Sequence, residues 1–212
     1  MFSSYSLALL LLSALAQAQG TTQLVLDFDD IDVSNEQSCG TAKPDVYKGV
    51  SITSVTPDSI VLNTTQTAEC ASSANEAGQA SPFGFASSPP NVLYSDTGDF
   101  FFQILTDSTF INGTSFTIGL NLSENQLAEA AAGNLVITIQ ALISDFGNFD
   151  FTQTYNFDPA TDGLGPYALT VDNANNTPYL FLEVTAEALT QKPFSAQFVP
   201  AIIDSIVFET LP

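Results

Sequence analysis

The sequence predicts an all-β fold, an antiparallel β-sandwich of jelly-roll type with one short helix. Three observations lead there. Apolar and polar residues alternate with period two along several segments, Gly, Pro, Asn and Asp punctuate them, and a single stretch reads as helical. Such alternation is what half-buried antiparallel strands require, one side packed and one side wet.

The elements follow in chain order. Residues 1–18 predict a removable export signal: Leu7 to Leu15 is an apolar run too short to span a bilayer, and Ala16 and Ala18 supply the small residues that signal peptidase reads. The n-region departs from the pattern, its only positive charge being the α-amino group. An uncleaved anchor is the weaker alternative. Residues 19–212 then form one domain, expected to be soluble, secreted, and extracellular or cell-wall associated. Strands are predicted at 23–28, 49–55, 59–62, 100–105, 114–122, 135–142, 149–157, 167–171, 179–185 and 202–209. The clearest runs from Thr114, with Phe116, Ile118, Leu120 and Leu122 on one face and Ser115, Thr117, Gly119 and Asn121 on the other. Ile137, Ile139 and Ala141 alternate with Thr138 and Gln140 in the same way. Residues 124–132 predict the helix, with Ser123 as N-cap and Gly133 as stop. The polar, Ala/Ser/Pro-rich segment 64–90 is too long for a simple connection; it reads as a functional loop, an arm held by Cys70, or a disordered stretch.

Charge narrows the function. Three Lys stand against 23 acidic residues, with no His, for a net charge of −20. Such a chain cannot neutralise phosphates, which excludes nucleic acid and anionic membranes as partners. A hydrophobic content of 45%, with 17 Phe, gives it a core and so separates it from acidic disordered chains. Without His there is no Ser-His-Asp or Cys-His relay and no His-ligated zinc or copper. A glycosidase built on paired carboxylates stays open, with Asp150, Glu183 and Glu209 on strands, but the dense run of strand carboxylates of jelly-roll glucanases is missing. In an exported chain, Cys39 and Cys70 read as a disulfide closing about thirty residues and contributing ~3–4 kcal/mol. A two-cysteine metal site would be short of ligands. Sequons at Asn63, Asn112, Asn121 and Asn175 predict glycosylation on a eukaryotic secretory route.

Two ends of the chain carry acids on apolar faces. Asp30 continues the face of Leu24, Leu26 and Phe28, and Asp204 sits among Ile202, Ile206 and Phe208. A buried carboxylate is costly unless paired, and bases are scarce here, so a structural calcium would answer the shortage with its preference for oxygen ligands. The alternative reading has Asp204 at a bulge and Asp29 and Asp30 starting a turn.

Four segments carry a resemblance: Phe28-Asp29-Asp30, Tyr47-Lys48-Gly49-Val50-Ser51-Ile52, Ser88-Pro89-Pro90-Asn91 and Asp204-Ser205-Ile206-Val207-Phe208. Together they resemble secreted, largely fungal β-sandwich proteins that look like carbohydrate-binding-module jelly rolls of the galactose-binding-like type. The resemblance implies first and last strands side by side with a structural calcium near them, and so Asp29, Asp30 and Asp204 as its ligands. It also implies an extracellular polysaccharide or glycan as partner. Where the pattern often carries Trp, this chain has Ile52, and it has no Trp at all. Tyrosines must then supply any sugar platform, and Tyr94 and Tyr167, beside turn signals, are the candidates, with ordinary packing as their alternative role. The expected function is a secreted, non-catalytic carbohydrate-binding domain. A structural wall glycoprotein without sugar affinity, or a carboxylate-dependent glycoside hydrolase, is the alternative.

Overall fold

The computed structural model describes residues 22–31, 41–42, 45–53, 60–63, 91–105, 110–145, 148–163, 165–171, 179–191 and 194–211. The export segment, Cys39, Cys70, Asn175, Lys43, Lys192 and the 64–90 segment lie outside them. Fourteen strands are described: β1 (Thr22–Leu26), β2 (Thr41–Ala42), β3 (Val46–Tyr47), β4 (Val50–Thr53), β5 (Ile60–Asn63), β6 (Asn91–Ser95), β7 (Asp99–Ile104), β8 (Phe110–Leu120), β9 (Leu135–Asp145), β10 (Asn148–Phe157), β11 (Tyr167–Val171), β12 (Phe181–Gln191), β13 (Phe194–Phe198) and β14 (Ala201–Leu211). They form two seven-stranded antiparallel sheets. The first runs β11-β8-β14-β6-β5-β2 with β1 also on β14; the second runs β10-β9-β12-β7-β4-β3 with β13 also on β12. Among the described residues, no helix is long and apolar enough to cross a membrane.

The sheets close on the residues that the alternation placed inward. Phe116, Ile118 and Leu120 of β8 and Ile137, Ile139 and Ala141 of β9 are all buried in one core. Phe102 of β7 meets Phe208 of β14 edge-on, ring centroids 6.2 Å apart, so an aromatic contact joins one sheet to the other. Each fully buried side chain of this size contributes roughly 1.5–3 kcal/mol. Gly98, in the turn between β6 and β7, has φ +67°, and a Cβ there would lie 2.1 Å from the Val199 carbonyl oxygen, so only glycine fits.

The predicted helix forms as α1 (Glu124–Ala131). The Ser123 hydroxyl accepts from the Gln126 N–H while the Gln126 side chain accepts from the Ser123 N–H, a reciprocal cap. Gly133, at φ +70°, ends it as expected. A second helix, α2 (Pro159–Asp162), is a single turn capped by Asp158 with Pro159 in its first turn. Four strands escaped the pattern for identifiable reasons. β6 is buried at all five positions, so it shows no alternation. β13 is mostly exposed, and β2 and β3 are each only two residues long.

Candidate functional site

The described residues of the four resembling segments meet at one place beside the last strand of the first sheet. β14 pairs with β8 along one side, but its other side changes partner: β6 pairs with Ala201–Ile203, and β1 pairs with Ile206–Thr210. The first and last strands are therefore neighbours, as expected. Asp204 and Ser205 face the gap where β6 begins and β1 ends. There the chain leaves β1 through Phe28, at φ +58°, and turns through Asp29 and Asp30. Asn91, 1% exposed, fills the gap. Its Nδ2 donates to the carbonyls of Phe28 (2.9 Å) and Ile31 (2.8 Å), and its backbone N–H donates to Asp29 Oδ1 at 3.1 Å. One amide thus satisfies carbonyls that a continuing strand would have paired.

The second sheet reaches this junction through the β3–β4 hairpin. Lys48 and Gly49 form its two-residue loop, both with positive φ (49° and 80°), the primed turn that matches strand twist. That turn projects Tyr47 and Lys48 at the end of β1. The Tyr47 ring stacks on Phe28 with centroids 5.2 Å apart, and its hydroxyl donates to Asp27 Oδ1 at 3.1 Å and to Asp30 Oδ1. Lys48 Nζ donates to Asp27 Oδ1 at 2.9 Å and to the Val25 carbonyl at 3.3 Å. The hydrogen bond from Lys48 is the main reason the Asp27 carboxyl stays below its usual range, against partial desolvation. Burial, followed by the carboxylates of Asp30 and Asp27, pushes the Tyr47 hydroxyl well above its ordinary value.

The inward aim expected of the aspartates needs correcting. Asp30 is exposed, because β1 ends at Leu26 and the positive φ at Phe28 takes the chain off the strand. Asp204 is 2% exposed but shares its sheet face with Ile202, opposite Thr117, away from the core side that carries Ile203. A β-bulge between Asp204 and Val207, with Ser205 at φ +53°, adds a residue and returns Ile206 and Phe208 to the core. Bulge and turn, the alternative reading, are what the geometry displays. Among the described residues no three of His, Cys, Asp and Glu stand together as a metal-holding group. What the junction does offer calcium is a buried oxygen, Asn91 Oδ1, which has no hydrogen-bond partner among the described residues.

A second candidate surface was not legible in the sequence. In β12 the even positions from Leu182 to Ala188 face the core and the odd ones from Phe181 to Leu189 are half-buried on the outer face of the second sheet. Register sets Phe101 opposite Glu183, Gln103 opposite Phe181, and Gln140 and Thr138 opposite Thr185 and Glu187. Phe101 and Phe181 touch, ring centroids 5.4 Å apart. Further along the same face, Phe198 lies opposite Glu187 and Phe194 opposite Gln191, 59% and 80% exposed. The 11 residues of β12 make this track, ten steps of strand rise, roughly 33 Å long. Burial, reinforced by the Asp99 charge, raises the Glu183 carboxyl above its usual range.

The remaining candidates sit elsewhere. Tyr94 (5% exposed) and Tyr167 (6%) are buried, and neither offers a ring face to solvent. Tyr167 stacks on Phe157 at 4.0 Å and donates to the Gly163 carbonyl, and burial pushes both hydroxyls up to about 12. Asn112 is half-buried on β8 and Asn63 ends β5. Asn121 is 1% exposed just beyond β8, where its N–H donates to the Pro200 carbonyl, so the folded chain has no room there for a glycan.

No family model matches the chain, and no curated protein matches it. Solved structures do. A DUF4465 family protein from Bacteroides ovatus is similar over 89% of this chain and 99% of its own, with TM-score 0.51 and 9% identity. CBM29-2, a family 29 carbohydrate binding module, is similar over 89% of this chain and 91% of its own (TM-score 0.36, 8% identity). A carbohydrate-binding module of the β-sandwich superfamily covers 91% of this chain and 74% of its own (TM-score 0.33, 10% identity). At such identities the likeness is one of fold: the chain is a β-sandwich similar to that of the DUF4465 protein.

Proposed function

We propose that this chain is a secreted, non-catalytic β-sandwich domain that binds extracellular or cell-wall carbohydrate on the outer face of its second sheet. One observation carries the reading: the half-exposed Phe101–Phe181 pair, set among the hydrogen-bonding side chains of Gln103, Glu183, Thr185 and Gln140. Sugars bury their apolar ring faces on aromatic rings and give their hydroxyls to polar side chains beside them, and ligand sites in general pair aromatic lining with a few placed polar groups. The resemblance of the four segments to carbohydrate-binding-module proteins supports the same class. The buried Tyr94 and Tyr167 leave this role to phenylalanines.

Retention on a panel of cell-wall polysaccharides tests it, comparing the wild type with Phe101→Ala/Phe181→Ala. At least a tenfold loss of affinity is expected for the variant, about the scale of one aromatic anchor. Equal retention of both proteins, or none on any polymer, would remove the reading.

A structural calcium ion is a second proposal, favoured by the unpartnered Asn91 Oδ1 beside Asp29. Asn91, Asp29 and Asp30 would supply hard oxygen donors, and bound calcium would add stability by mass action. A fall in the melting temperature on chelation, reversed by calcium and not by magnesium, is the expected result. An unchanged melting temperature rules the ion out.

A further inference from the structure

The charges on the proposed binding face are all of one sign. Among the described side chains there, the ionisable ones are Asp99, Glu183 and Glu187, all carboxylates. Neither Glu183 nor Glu187 makes a hydrogen bond or ion pair with the described residues. Both are half-buried, so each carboxylate keeps part of its surface open to a ligand's charge. Lys48 is committed to Asp27 at the junction, and the whole chain carries −20. Phe101 and Phe181 flank Glu183 at one end of the track, and Phe198 lies opposite Glu187.

We infer that this face takes a cationic amino-sugar polysaccharide, a linear glycan whose free amines are protonated. This rests on the carbohydrate-binding reading above and goes beyond it by naming the ligand's charge. Each carboxylate is placed four residues from the next along β12, on the same side as the rings, so a chain stacked on the phenylalanines brings its amines to both. Charge complementarity selects against uronic-acid and sulfated glycans, which the same carboxylates repel.

The test uses the full secreted chain at about pH 6, where amines are protonated and ordinary carboxyls are ionised. Retention is measured on chitin deacetylated to increasing degrees and on neutral cellulose and xylan. Affinity is expected to rise with free-amine content and to fall steeply with added salt. Glu183→Gln/Glu187→Gln is expected to lose about tenfold on the deacetylated polymer. The control Glu124→Gln/Glu209→Gln, which removes two charges away from this face, is expected to bind like wild type. Equal loss in the control would reduce the effect to bulk charge and overturn the inference, as would stronger displacement by poly-lysine than by soluble deacetylated chitin. Retention on neutral glycans alone would overturn it while leaving the carbohydrate-binding reading in place. Retention on no polymer would end both.

Discussion

At the strand-exchange junction, polar groups answer one another: Asn91 serves the Phe28 and Ile31 carbonyls and Asp29, while Tyr47 and Lys48 serve Asp27 and Asp30. On the outer face of the second sheet, Glu183 and Glu187 stand half-buried beside aromatic rings with no such partners among the described residues. Satisfied polar groups hold a fold in one arrangement, whereas half-exposed ones without a protein partner stay open to water or to a ligand. The difference teaches that the resemblance-bearing segments chiefly specify architecture, with the Asn91 Oδ1 oxygen left over for the proposed ion, and that the proposed carbohydrate binding is better sought on the other region. Substitutions in the two places should therefore move stability in opposite directions.

The largest effect is expected from Asn91→Ala. It strips two buried carbonyls of their donor, at roughly 1–3 kcal/mol each, so a loss of about 2–5 kcal/mol is expected in denaturant unfolding. A loss below about 1 kcal/mol would mean that water or a neighbour serves those carbonyls and that the junction is not held by this amide.

This contrast also explains what the sequence disclosed. Period-two alternation revealed strands such as β8 and β9 because their inward positions are apolar and their outward ones polar. Pairing of the two termini followed from the resemblance and is observed. The aspartates' orientation was not legible, because parity counting assumes an unbroken strand. Phe28 and Ser205, both non-glycine residues with positive φ, break it at two points. The aromatic track was hidden for another reason. Phe101 alternates against inward-facing Phe100 and Phe102 in a run of three phenylalanines, and nothing in FFF tells the outward ring from its neighbours. Phe194 and Phe198 come from an edge strand that lacks a buried face to betray its period.

Tyr47→Phe sharpens the comparison by keeping the stack on Phe28 and deleting only the hydroxyl. Two hydrogen bonds to carboxylates disappear, and since the site is partly solvated the expected loss is about 1–2 kcal/mol. An unchanged stability would leave the ring alone as the tie between sheets.

Lys48→Met should cost less, about 0–1 kcal/mol, because both partners of the Lys48–Asp27 pair are a third or more exposed. Its signature is in the pH dependence. Asp27 is depressed in the folded chain, so its contribution is present above the ordinary carboxyl range and is lost as pH falls through the lower folded value. Wild type and variant should differ at neutral pH and converge below about pH 4. A constant gap down to pH 2 would trace the difference to the stem of the side chain rather than its charge.

The smallest and most discriminating effect is that of Glu183→Gln. Burial and the Asp99 charge raise this carboxyl above its ordinary value of 4.5 in the folded chain. Its favourable contribution is therefore complete only below that value and is lost as pH rises through the folded one, so at neutral pH the ionised group works against folding. Replacing it with the neutral amide should leave the chain at least as stable at pH 7, by up to about 0.5 kcal/mol given its exposure. The gain should vanish below about pH 4, where the wild-type carboxyl is itself protonated. A variant less stable than wild type at pH 7 would show that the Glu183 carboxylate is satisfied within the fold. The outer face would then be one more structural surface, and its contrast with the junction would be gone.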